Sequence, residues 1–69
     1  MSRYKIEFLK ETTEEASVVG IVMVADCSLE DAVRAGAVHA DDHPEAEGFQ
    51  VRDMNEDGRI VALETLFDA

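Results

Sequence analysis

The sequence predicts an α+β fold: a four-stranded antiparallel sheet in the order β-β-α-β-β, with one helix packed on one face. Three observations predict it. Residues 3–10 and 49–54 alternate polar and apolar side chains with the period of two of a half-buried strand. Residues 29–40 repeat small apolar side chains at helical spacing, just after a serine suited to capping. A β-branched run before the helix and a glycine-ended turn after it then complete a hairpin on either side.

Taken in order, Arg3 to Lys10 place Tyr4, Ile6 and Phe8 on one side of the first strand. Glu11-Thr12-Thr13-Glu14-Glu15 is a polar connection. Ser17 to Ala25 (SVVGIVMVA) reads as a strand that is apolar on both faces, with Val18, Val22 and Val24 pointing one way and Val19, Ile21 and Met23 the other. Gly20 within it marks a bulge or a close backbone approach. Ser28 is a good N-cap with Asp31 three residues on, and Leu29, Ala32, Val33, Gly36, Ala37 and Ala40 form one helical stripe. Pro44 ends the helix by forcing His43 out of helical geometry. Phe49 to Met54 alternates again, Asn55-Glu56-Asp57-Gly58 has turn chemistry, and Arg59 to Phe67 supplies the last strand. With no repeat or second hydrophobic pattern, residues 1–69 read as a single domain.

Charge narrows the function. The chain carries 16 acidic and 6 basic residues, a net of -10, with 46% apolar residues. Residues 1–10 hold Arg3, Lys5 and Lys10 against Glu7 (+2), so residues 11–69 hold -12. Such a surface does not coat nucleic-acid phosphates or anionic lipid. The apolar content is too high for a disordered acidic tail. The longest apolar run, Val18 to Ala25, is far short of the roughly 20 residues a membrane-spanning helix needs. The acidity keeps a small protein in solution or suits a salty cytoplasm. Cys27, the one cysteine, points to a reducing, cytoplasmic setting.

Tyr4 to Phe8, Leu29-Glu30-Asp31-Ala32, and Val51-Arg52-Asp53 with Asp57-Gly58-Arg59 together resemble small uncharacterised bacterial domains of β-β-α-β-β order. Those domains open on an aromatic-rich strand, start the helix at a Leu-Glu-Ala-like step and close on a Val-x-Asp-x-x-Gly hairpin. The resemblance implies a fold and no activity.

The sharpest chemical pattern is Asp53-x-Asn55-x-Asp57-Gly58-Arg59-Ile60-x-x-x-Glu64. It has the spacing of an EF-hand calcium loop, with Asp53, Asn55, Asp57 and Glu64 as oxygen ligands and Arg59 at the backbone-carbonyl position. A hard cation needs six or seven converging oxygens, which this spacing gathers from one short loop. Against this, Gly48 would interrupt the entering helix, Val61 supplies no side-chain oxygen, and EF-hands work in pairs. A hairpin through Asn55–Gly58 explains the same residues with less strain. His39-Ala40-Asp41-Asp42-His43 has the spacing of an inverted zinc-protease motif, but Pro44 takes His43 off the helix and no third ligand is evident. Cys27 precedes a helix N-terminus without a neighbouring base, as a small apolar residue at a strand end would.

The expected function is therefore a small acidic, non-enzymatic protein-interaction module with no cofactor, acting through its acidic surface, which attracts basic partners, or through an apolar sheet face, and binding a protein partner or itself as a homodimer. The alternative is a calcium- or cation-binding protein using residues 53–64. One helix covers one face of the sheet, so either Val18, Val22 and Val24 or Val19, Ile21 and Met23 stay outside as an interface of about 200–300 Å², unless the Glu11–Glu15 connection or Leu66-Phe67 folds over them.

Overall fold

The computed structural model describes residues 2–11 and 16–65. It shows β1 (Arg3–Glu11), β2 (Ala16–Ala25), α1 (Leu29–His39), β3 (Gly48–Asp53) and β4 (Arg59–Thr65), with short 3-10 turns at Ala40–Asp42 and Met54–Glu56. The strands form one antiparallel sheet in the order β2-β1-β3-β4, and α1 lies on one face. The α+β, β-β-α-β-β architecture is thus present, with two single-turn 3-10 segments added.

Alternation in β1 sets the layers. Tyr4, Ile6 and Phe8 point under the helix and are buried, as are Phe49 and Val51 directly across the β1–β3 pairing. Ile6, Phe8, Phe49 and Val51 are the large side chains fully withdrawn from water, each worth about 1.5–3 kcal/mol relative to exposure. From the helix, Ala32 and Gly36 close onto this layer, with Leu29, Val33, Ala35 and Ala40 packed at its margin. Ala37, expected on the buried stripe, is exposed, and Ala35 takes the inward position.

The helix begins where its cap requires. The Asp31 amide donates to Ser28 Oγ at 3.1 Å, and Glu30 and Asp31 complement the positive end of the helix. Its small stripe permits close approach: a Cβ built on Gly36 would lie 2.5 Å from Phe49 Cε1. After α1, the Glu47 amide donates to the Leu9 carbonyl at 2.8 Å and Ala46 is buried, which brings the chain back beside β1.

Both hairpins contain irregularities that decide which side chains face out. Phe8 pairs with Gly20 but Leu9 with Val18, so Val19 is the extra residue of a β-bulge. The bulge exchanges two expected positions. Val18 joins Ile21 and Met23 on the uncovered face, while Val19 joins Val22 and Val24 against the core. A second bulge lies in β4, where Val51 pairs with Ala62 and Arg52 with Ile60, leaving Val61 as the extra residue. The β3–β4 turn is closed by the Gly58 amide donating to the Asp53 carbonyl at 3.0 Å and the Asn55 amide donating to Asp53 Oδ1 at 2.9 Å. Asp57 (φ 57°) and Gly58 (φ 78°) supply the left-handed backbone it needs.

Candidate functional site

The face of the sheet away from α1 is the candidate site. Strand register arranges its side chains in rows. One row runs Met23, Lys5, Arg52, Ile60; the next runs Ile21, Glu7, Gln50, Leu63. Val18 and Leu9 follow, and Arg3 precedes them. The first two rows are therefore polar on the two central strands and apolar on the two outer ones, whereas the row of Val18 and Leu9 is apolar. Val18 (47%), Ile21 (53%) and Met23 (52%) on β2, and Ile60 (47%) and Leu63 (68%) on β4, are large apolar side chains open to water.

Glu7 sits in the polar centre and is only 7% exposed. A buried carboxylate needs compensating partners, and it has them. Arg52 Nε and Gln50 Nε2 each donate to Glu7 Oε1 at 2.6 Å, and Lys5 Nζ lies 3.6 Å from Oε2. Burial pushes the Glu7 carboxyl up. The hydrogen bonds from Arg52 and Gln50, with the positive charges of Arg52 and Lys5, outweigh that and hold it below the ordinary carboxylate value. Arg52 also donates through Nη1 to the Gly58 carbonyl at 2.8 Å, which ties this centre to the β3–β4 turn.

The charge of this face differs from that of the chain. Among its described side chains Arg3, Lys5 and Arg52 are basic and Glu7 alone is acidic, in a protein of net charge -10. The acidic side chains of α1 lie on the helix side of the sheet. Residues Thr12–Glu15 and Leu66-Phe67, expected as possible covers for the strip, lie outside the described residues.

The calcium-loop residues are placed differently from the EF-hand expectation. Strands, not helices, flank the turn. Asp53 pairs with Arg59 at one end of the β3–β4 ladder, whereas Glu64 pairs with Phe49, four residues further along β3. An extended β4 thus carries Glu64 away from Asp53, Asn55 and Asp57, and the Arg59 backbone belongs to the ladder. Asp53 Oδ1 is engaged by the Asn55 amide instead. Among the described residues no three His, Cys, Asp or Glu side chains come together as a metal site.

The two histidines separate as Pro44 dictates. His39 sits at the exposed end of α1 with Nδ1 3.8 Å from Asp42 Oδ2. His43 instead stacks on Phe8, ring centroids 4.5 Å apart, and its ring lies directly over Gly20. The close backbone approach expected at Gly20 is therefore made by an imidazole. Cys27 is half-buried and packs at the edge of the core.

The Glu7–Arg52 centre escaped sequence reasoning. Parity alone puts Lys5 and Glu7 on one side of β1, but nothing local says that β3 lies beside β1. Among the described residues no helix is long and apolar enough to cross a membrane. No family model, curated protein or solved structure matches this chain.

Proposed function

We propose that this chain is a non-enzymatic protein-interaction module whose open sheet face docks a protein surface that is apolar and edged with carboxylates. The observation that carries this reading is the composition of that face: five exposed apolar side chains flank a centre where Lys5 and Arg52 pair with Glu7, and among the described side chains Arg3 adds a further positive charge and no second acid is present. Apolar burial supplies affinity and the basic groups select the partner. A second copy fits this face poorly, because its described charged side chains (Arg3, Lys5 and Arg52 against Glu7) leave it net positive and two such faces repel. Nucleic acid and anionic lipid are disfavoured by the net charge of -10. The Glu7 carboxylate serves structure, since Arg52, Gln50 and Lys5 occupy its oxygens. The lone thiol of Cys27 supports a reducing, cytoplasmic setting.

Titration of an isotopically labelled sample with a peptide of alternating leucine and glutamate tests the reading, with an alternating leucine–lysine peptide as control. The acidic peptide is expected to shift the amides of Lys5, Ile21, Arg52 and Leu63, and Lys5→Glu to weaken that response several-fold. Absence of shifts, or shifts confined to α1, would overturn it.

A further inference from the structure

The sheet order leaves β2 and β4 as edges, each with a row of backbone N–H and C=O groups pointing outward. The two edges are built differently. β4 is seven residues long, carries Arg59 and Glu64, and is distorted by the bulge at Val61. Those are the usual ways of blunting an edge against further pairing. β2 is ten residues long (ASVVGIVMVA) and contains no charged residue and no proline. Its bulge is confined to Val19, and from Gly20 to Ala25 it pairs regularly with Phe8 to Arg3. Among the described residues one edge is guarded and the other is open.

We infer that β2 is a self-association edge, at which a second copy of this chain adds its own β2 antiparallel to give a continuous eight-stranded sheet. The side chains favour this occupant. Centred on Val22, such pairing sets Ile21 of each copy against Met23 of the other, on the face where both are half exposed. On the helix side it sets Gly20 against Val24. No charged group falls between Val18 and Ala25, so none is buried or opposed to its like. The contact also closes. Two-fold pairing consumes both open edges and leaves a blunted β4 at each end, so assembly stops at the dimer.

Five paired residues a side, Gly20 to Val24, make a contact smaller than a standard stable interface, so dissociation in the range of about tens to hundreds of micromolar is expected. Two chains of charge -10 repel, so the dimer should strengthen several-fold between about 0.01 and 0.15 M salt as screening shortens from roughly 30 to 8 Å. The dimer shares Ile21 and Met23 with the open-face docking reading, and Leu63→Lys on β4 separates the two, since it weakens docking and leaves the dimer intact.

Sedimentation from 5 µM to 1 mM (roughly the range set by such affinities) should show the 7.6 kDa chain passing to twice that mass. Amide exchange distinguishes the mode. In a monomer the outward amides of β2 exchange quickly, whereas in this dimer they become protected as concentration rises, together with their inward neighbours. Ile21→Lys combined with Met23→Lys, both at exposed positions and checked for folding by amide spectrum, should abolish the dimer. A chain that stays monomeric throughout, one that grows beyond a dimer, or a dimer whose outward β2 amides remain unprotected would overturn the inference.

Discussion

Arg52 joins Glu7 to the β3–β4 turn: its Nε donates to the carboxylate at 2.6 Å while its Nη1 holds the Gly58 carbonyl at 2.8 Å. One guanidinium thus spans the β1–β3 seam and the hairpin end. Breaking such a charge-assisted pair on a largely dehydrated carboxylate costs about 1.5–3 kcal/mol.

The same contact makes stability depend on pH. The Glu7 carboxyl titrates below its ordinary 4.5 when folded, so the unfolded chain takes up the proton more readily. The stabilisation is complete above 4.5 and is lost as pH falls through the lower folded value. Glu7→Gln should therefore melt below the parent at pH 7, and the gap should narrow as pH drops beneath 4.5. Thermal melts of both proteins from neutral to acid check this, and a gap independent of pH would contradict it.

Gly20→Ala would place a methyl group inside the space of the His43 ring, which is itself pinned by stacking on Phe8. Overpacking of this kind costs about 1–3 kcal/mol. His43→Ala should relieve it, so the double variant is expected to lose less than the sum of the single variants. Denaturant melts of the four-protein cycle measure that coupling, and strict additivity would show that the ring does not oppose the methyl group.

Gly36→Ala reverses a familiar trend. Alanine is favoured over glycine inside a helix by about 1 kcal/mol. Here the new Cβ would lie 2.5 Å from Phe49 Cε1, a ring fully buried against β1. A net loss of stability is expected, and Phe49→Leu in the same chain should restore part of it. A Gly36→Ala protein more stable than its parent would mean that α1 rides further from the sheet.

Calcium should leave residues 53–64 unchanged. The β4 ladder holds Glu64 opposite Phe49, away from the carboxylates of the turn. Amide spectra with and without millimolar calcium are expected to superimpose across this segment. Shifts that saturate there would establish the cation-binding alternative. Gly58, at φ 78° with open space around it, separates conformation from contact: Gly58→Val should cost about 1–2 kcal/mol through backbone strain alone.

Local pattern was sufficient wherever one residue type answers one backbone need. The alternation around Ile6 reports strand β1, Ser28 reports the start of α1, Pro44 its end, and Asp57-Gly58 the last turn. Position-specific outcomes were not legible where they depend on distant partners. A bulge at Val19 leaves no mark on an unbroken apolar run, yet it decides that Val18 and not Val19 faces outward. Ala35 replaces Ala37 under the helix because the sheet fixes the roll of α1, which neither alanine encodes. Glu7 looks like an ordinary outward-facing strand residue until Arg52 and Gln50 arrive from more than forty positions away. The calcium spacing in residues 53–64 names residue types without naming the backbone, and an extended β4 disperses them.

The placement of β1 in the middle of the sheet, beside a strand that begins beyond the helix, shapes how the chain folds. Each hairpin can form from neighbouring residues, but β1 meets β3 only after a long loop closes, which slows the search. The docking of the two hairpins is thus the natural late step in folding. If docking is late, substitutions within a single hairpin slow folding, while substitutions along the seam, at Glu7, Gln50 or Arg52, mainly speed unfolding.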